Sequence, residues 1–305
     1  MSDQSSPLVT APELAAEIDA ELAAPPGSAG DDIVPVVLDV RYRLGGPPGR
    51  PDYDTAHVPG AVFVDLDAEL AAPPGPGGRH PLPDPDRLQE VLRAAGVCAG
   101  SRVVAYDDAN GLAAVRAWWL LRWAGLEPGR VAVLDGGYAA WVAAGLPTTA
   151  AVTAPEPGDV TVRPGSMPTV DAAGAARLGR DGVLIDARAA ARYRGEMEPV
   201  DPVAGHVPGA HNVPVLDFAG PDGRWRPPAE LAEQFAGLDI GTASDVGAYC
   251  GSGVTAAALV LAVEQAGLRP PEQPITLYPG SWSNWVADPA RPVAVGEYTP
   301  VGGTP

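Results

Sequence analysis

The chain is written twice. Val37-Leu38-Asp39-Val40-Arg41 precedes His57-Val58-Pro59-Gly60-Ala61, and Leu184-Ile185-Asp186-Ala187-Arg188 precedes His206-Val207-Pro208-Gly209-Ala210, in the same order and at near spacing. Val103-Val104-Ala105-Tyr106-Asp107 then parallels Val246-Gly247-Ala248-Tyr249-Cys250, and Gly136 to Trp141 parallels Gly280 to Trp285. Ordered matches with a period near half the chain mark a duplication and predict two similar domains rather than a solenoid. The expected division is a first domain over 1–147, a linker over 148–168 rich in Pro, Thr, Gly and Ala, a second domain over 169–295, and a tail over 296–305. With 305 residues, 46% of them hydrophobic, the chain can bury two cores.

Within each half, short β-branched runs alternate with helical periodicity. The expected strands are Val36 to Val40, Arg102 to Tyr106, Val131 to Leu134, Val183 to Asp186, Asp245 to Tyr249 and Ile275 to Tyr278. The expected helices are Pro12 to Ala24, Asp86 to Ala95, Ala113 to Ala124, Ala229 to Ala236 and Thr255 to Ala266, several closed by Gly. Such alternation predicts an α/β fold in which each domain is a mainly parallel sheet flanked by helices. Ligand sites in such sheets lie at the carboxyl ends of the strands.

Composition excludes several functions. Net charge is −18, and the basic residues are scattered, which argues against a nucleic-acid groove or an anionic membrane surface as partner. All twenty basic residues are arginine, so a lysine Schiff base, a P-loop and ordinary pyridoxal chemistry are impossible. Two cysteines, Cys98 and Cys250, make no disulfide framework. No export signal or membrane span is legible, and the default compartment is the cytoplasm. Neither a metal nor a cofactor is implied.

Cys250 opens Cys250-Gly251-Ser252-Gly253-Val254-Thr255, between an apolar strand and a helix. A loop of that kind is expected to turn several N–H groups toward its centre, with the positive end of a helix dipole behind them, which favours a thiolate over a thiol. Gly251 and Gly253 let the backbone curl around the sulfur. Ser252 offers a hydroxyl either for proton relay or for a structural bond. In the first half the corresponding residues are Asp107-Asp108-Ala109-Asn110, whose carboxylates cannot attack sulfur and are expected to cap a turn. Cys98 lies in a turn with no helix N-terminus behind it and is expected to be inert.

These residues together resemble the tandem-domain rhodanese family of sulfurtransferases over nearly the whole chain. The resemblance is carried by the two Asp-x-Arg and His-Val-Pro-Gly-Ala segments, the cysteine loop, and Gly280-Ser281-Trp282-Ser283-Asn284-Trp285. It implies two rhodanese-like domains, the second catalytic and the first a degenerate copy, with a persulfide carried on Cys250. The Cys-Gly-Ser-Gly-Val-Thr loop is similar to that of 3-mercaptopyruvate-specific members, whereas thiosulfate-preferring members usually carry Arg and Lys after the cysteine. The implied reaction moves sulfur from 3-mercaptopyruvate to cyanide, a thiol or thioredoxin, with Cys250 and Ser252 catalytic and Gly251, Gly253, Val254 and Thr255 around the donor.

A 2-oxo carboxylate calls for a bidentate cation, and by position Arg192 matches the family's substrate arginine. Arg188 is a further candidate, with a structural reading favoured because Asp-x-Arg recurs in the first half. The family's second substrate arginine is absent from Glu196-Met197-Glu198-Pro199-Val200-Asp201. His206 is expected to be structural, while His57 with Asp54 or Asp52 is a candidate for assisting proton transfer. Trp282 and Trp285 are expected in the core or cleft wall, and Arg116 as an interdomain anchor. Thiosulfate:cyanide sulfurtransferase is the alternative, and a non-catalytic rhodanese-like sulfur-binding or regulatory protein a further one. Phosphatases with Cys-x5-Arg are disfavoured because the arginine position holds Ala256.

Overall fold

In both halves an Asp-ending strand lies beside a Tyr-ending strand in the same register. The computed structural model describes residues 6–22, 34–243 and 245–298. The first half runs β1 (Leu8–Val9), α1 (Ala11–Leu22), β2 (Val36–Asp39), α2 (Arg50–Thr55), β3 (Val62–Phe63), α3 (Leu66–Glu69), α4 (Pro85–Ala94), β4 (Val103–Tyr106), α5 (Leu112–Trp123), β5 (Val131–Leu134) and α6 (Gly137–Ala143). The second runs α7 (Ala172–Asp181), β6 (Val183–Asp186), α8 (Ala190–Tyr193), β7 (Ala210–Asn212), α9 (Pro228–Gln234), β8 (Val246–Tyr249), α10 (Ala257–Gln265), β9 (Thr276–Leu277) and α11 (Ser281–Trp285).

The sheet orders are β1-β5-β4-β2-β3 and β7-β6-β8-β9, with every strand pair parallel. Asp39 stands opposite Tyr106 across β2 and β4, as Asp186 stands opposite Tyr249 across β6 and β8. Where β1 edges the first sheet, Thr169 makes only an isolated parallel bridge to Leu277 in the second. All residues of β4, β5 and β8 are buried, as expected of parallel strands covered on both faces. The cores gather around Val37, Val104, Leu134 and Trp141 in the first half and Leu184, Tyr249, Tyr278 and Trp282 in the second.

The expected helices form, with boundaries moved by one or two residues for identifiable reasons. Asp84 caps α4, accepting from the N–H groups of Asp86 and Arg87 ahead of which Pro85 sets the first turn. On α10 the start is Ala257 rather than Thr255, so the cysteine loop is longer than expected. The expected end of the first helix at Ala24 lies outside the described residues. Short elements at Leu8–Val9, Val62–Phe63 and Ala210–Asn212 were too brief to register as periodicity.

Contacts divide the chain into two compact units. The first comprises Met1–Leu70, Pro83–Ser166 and Ala219–Trp225; the second comprises Ala71–Leu82, Met167–Phe218 and Arg226–Pro305. Residues 71–82 therefore pack with the later half of the chain, which a division into consecutive blocks misses. The 148–168 segment is fastened to the first unit by Gly158, Val160 and Arg163 amides donating to Arg93, Val97 and Ala124 carbonyls. At the other end, Gly296 N–H donates to Arg194 O and Tyr298 stacks on His211 at 3.9 Å between centroids, so the start of the expected tail is anchored. The rest of the tail lies outside the described residues. Among the described residues no helix is long and apolar enough to cross a membrane.

Candidate active site

The cysteine loop begins where β8 ends and is pinned by α11. Cys250 N–H donates to Ser281 Oγ at 3.1 Å, Trp282 N–H to Cys250 O at 2.9 Å, and Ser283 N–H to Gly251 O at 2.9 Å. Ser281 is fully buried with φ of 52°, and its hydroxyl donates to Tyr278 O at 2.9 Å. Gly253 is required by its backbone: φ is +82°, and a Cβ there would stand 2.3 Å from Pro279 O. That bend brings Gly253 N–H to 3.1 Å from Cys250 Sγ. The sequence predicts several amides on the sulfur; among the described residues this N–H reaches it, together with the Ser281 hydroxyl at 3.9 Å. Cys250 is 1% exposed, with Val254 and Ser252 also buried and Thr255 half-buried.

A histidine the sequence reading passed over completes the loop. His80 Nδ1 lies 2.7 Å from Ser252 Oγ, and both side chains are buried. Arg79, its neighbour, places Nη1 2.7 Å from Asp201 Oδ1, and its backbone N–H donates to Ser283 Oγ at 3.0 Å. Both come from the Pro- and Gly-rich segment 71–82. One signal was present: of the four histidines, His57 and His206 belong to the duplicated pattern, whereas His80 has no counterpart in the other half.

Arg192 and Arg188 have different environments. Arg192, on α8, is fixed by Glu198, with Nε to Oε2 at 3.0 Å and Nη2 to Oε1 at 2.6 Å, and reaches Asp201 Oδ2 at 3.2 Å. Its Nη atoms stand 3.6 and 3.7 Å from the point where a Cβ on Gly251 would be. Arg188 is instead buried on Asp186 and the Gly205 carbonyl, both at 2.6 Å, with its guanidinium 4.6 Å from the Trp282 ring centroid. Arg41 repeats this in the first unit, donating to Ala56 O at 2.8 Å and lying 4.3 Å from Tyr138. The Asp-x-Arg motif is a frame in both units, and Arg188 is not available to a donor.

The histidines of the repeated motif are frame residues too. His57 stacks on Tyr53 at 3.8 Å, with Nδ1 2.7 Å from Tyr53 O and Nε2 3.2 Å from Ala151 O. His206 stacks on Tyr193 at 3.7 Å, with Nδ1 2.8 Å from Tyr193 O. Both nitrogens of His57 face main-chain carbonyls, and its ring stacks as that of His206 does in the other half, which is the setting of a frame residue. Asp54 is an exposed partner of Arg50 at 2.7 Å and Asp52 of Arg43 at 2.9 Å. Arg116, expected as an interdomain anchor, donates to Leu70 O at 3.4 Å inside the first unit. Trp282 and Trp285 are core residues whose Nε1 atoms donate to Val203 O and Pro292 O. Cys98 is exposed, and both cysteines are free thiols.

The loop that corresponds in the first unit is filled by its own side chain. Asp107 is buried and accepts from the amides of Ala109, Gly111, Ala113 and Ala114 at 2.9 to 3.2 Å. Asp108 pairs with Arg43.

Known proteins resemble this chain in sequence and fold. The chain is 47% identical over 299 residues to the "Probable 3-mercaptopyruvate sulfurtransferase" of Pseudomonas aeruginosa, covering 96% of this chain and 99% of that one. It is 42% identical over 303 residues to the "Putative thiosulfate sulfurtransferase SseB" of Mycobacterium tuberculosis, covering 97% and 99%. The structure of SseA from Escherichia coli, described as a 3-mercaptopyruvate sulfotransferase with the rhodanese fold, matches with a TM-score of 0.76 at 30% identity, over 92% of this chain and 100% of that one. The rhodanese-like domain matches twice, over residues 19–144 and 172–288, and this chain belongs to that family as a tandem-domain member.

Proposed function

We propose that the protein is a sulfurtransferase that moves sulfur from 3-mercaptopyruvate to a thiophilic acceptor through a persulfide on Cys250. The observation that carries this reading is the grouping of a buried free thiol, an amide donor at 3.1 Å, the Ser252–His80 pair at 2.7 Å and the Arg192 guanidinium around one glycine-rich loop. The named relatives support it.

The Cys250 thiolate attacks the donor's sulfur. As the S–S bond forms, the donor's C–S bond breaks, its electron pair goes to carbon, and pyruvate leaves as the enolate. Ser252, hydrogen-bonded to His80, is placed to pass the thiol proton of the donor toward the enolate carbon. Gly253 N–H supports negative charge on Cys250 Sγ, and Arg192 holds the carboxylate. In the second half-reaction cyanide or a thiolate takes the outer sulfur, and the electron pair of the S–S bond returns to Cys250. Thioredoxin is a fitting thiol acceptor, and a reducing compartment such as the cytoplasm fits a chemistry that depends on a free thiol.

Thiosulfate is the second donor to test, on the strength of the relative named as a putative thiosulfate sulfurtransferase. Comparing kcat/KM for the two donors, with cyanide as acceptor in both, decides between them; a higher value for thiosulfate reverses the assignment. Intact-mass spectrometry after donor exposure is expected to show one added sulfur on wild type and none on Cys250→Ala, whose turnover should be lost. Full turnover in that variant would remove the mechanism.

A further inference from the structure

We infer that the second unit carries a binding site for a small α-amino acid in the hollow beside α7, at the end of the sheet away from Cys250. The hollow holds about 250 Å³, and its wall comes from α7 and from the residues that open β6, β8 and β9, with Val170, Arg177, Leu178, Asp181, Asp245 and Thr276 among them. Asp245 directly precedes β8 and Cys250 directly follows it. At a rise of ~3.3 Å per residue the two stand roughly 16 Å apart, so this hollow is distinct from the cysteine loop. A pocket for a drug-sized ligand holds roughly 300–1,000 Å³, and the smaller volume here calls for a small guest.

The charges select the kind of guest. Arg177 is exposed and makes no hydrogen bond or ion pair among the described residues, so its guanidinium donors are unspent. Asp181 lies on the same helix face at i+4, about 5–6 Å away between Cβ atoms, yet it pairs with Arg180 at 2.8 Å instead. Asp245 meets the end of the same helix from the sheet side: a Cβ on Gly182 would stand 3.3 Å from Asp245 Cβ. Because α7 ends at Asp181, the negative end of its dipole adds to the two carboxylates there.

The hollow therefore has a cationic side at Arg177 and an anionic end at Asp181 and Asp245. A simple anion would meet two carboxylates, and a simple cation would leave Arg177 unanswered; a zwitterion satisfies both. In an α-amino acid the ammonium and the carboxylate leave one carbon, which suits opposite charges set a single helical turn apart. The Thr276 hydroxyl, also without a partner among the described residues, adds a polar contact, and Val170 and Leu178 supply apolar wall for a short side chain.

The test takes the zwitterion apart. Full-length protein is titrated with L-alanine, with propionate, which lacks the ammonium, and with ethylamine, which lacks the carboxylate, while the methyl resonances of Val170 and Leu178 are followed by NMR. L-Alanine is expected to saturate a shift at both residues, and the other two to bind about tenfold more weakly, each having lost one charge-assisted contact. Arg177→Gln and Asp181→Asn, both at exposed positions, should each weaken L-alanine by about tenfold, and Arg177→Lys should keep part of the affinity. Arg192→Gln should leave it unchanged. Absence of a saturable shift at Val170 and Leu178, propionate binding as tightly as L-alanine, or affinity kept in Arg177→Gln and lost in Arg192→Gln overturns the proposal. The titration needs no turnover, so its outcome is independent of the sulfurtransferase reading.

Discussion

Residues of one type divide here by burial and partners rather than by motif. Arg188 sits in the more recognisable motif yet is consumed by Asp186 and Gly205, while Arg192 and Arg79 present guanidinium groups to the cysteine loop. The histidines divide similarly: His206 stacks on Tyr193 in the frame, and His80 meets Ser252. Burial holds the His206 pKa below its ordinary value of 6.5, against an opposing pull from the Tyr193 carbonyl. The native state therefore keeps this ring neutral when the unfolded chain has begun to protonate it. Its contribution to stability is complete above about pH 6.5 and is lost as pH falls through the lower native value. Urea unfolding across that range should show wild type losing more stability on acidification than His206→Asn; equal slopes would dismiss the effect. The place of Cys250, after a strand and before glycines, was legible because the apolar run and the glycines that flank it are local. His80 was hidden because its partner stands 172 positions away.

Residues 71–82 show how an element without regular structure can bring side chains to the cysteine loop. The segment turns on itself through Gly75 and Gly78, whose amides exchange bonds at 3.0 and 2.9 Å, and Ala72 N–H donates to Pro81 O. It is then tied to α11, with Asn284 Nδ2 donating to Pro76 O at 2.6 Å and Arg79 N–H to Ser283 Oγ. Gly78 has φ of +118°, and a Cβ there would stand 2.8 Å from Gly280 O, so only glycine allows the approach. Gly78→Ala should push the segment away from α11 and carry His80 off Ser252. A displacement on the order of 1 Å at such a contact can cost about a hundredfold in rate. The expected result is a large loss of kcat/KM with little change in melting temperature, measured on the same preparation; unchanged kinetics would show that the segment tolerates the shift. The strands and helices were legible because their periodicity is local, whereas this segment has Pro and Gly in place of any period.

The molecule uses one fold twice for two purposes. In the first unit the loop after β4 closes on Asp107, whose carboxylate takes four amide donors; in the second, the sulfur of the loop after β8 meets Gly253 N–H and the Ser281 hydroxyl. Asp107→Ala would take the acceptor from those four amides, of which Ala113 and Ala114 are buried, so it should destabilise the protein by about 3 kcal/mol while persulfide formation on Cys250 in the folded protein persists. Denaturant unfolding and intact-mass spectrometry of this variant check the two halves of that statement; wild-type stability would show that water replaces the carboxylate. Duplication, parallel α/β architecture and the contrast between Cys250 in one loop and Asp107 in the other follow from the sequence alone, since repeats, hydrophobic periods and residue type are written along the chain. The partner of Ser252, the second arginine over Gly251 and the reduction of His57 and Arg188 to frame residues were decided only by tertiary structure. Each of those depends on which distant atoms come within a few ångströms, and no local pattern encodes that.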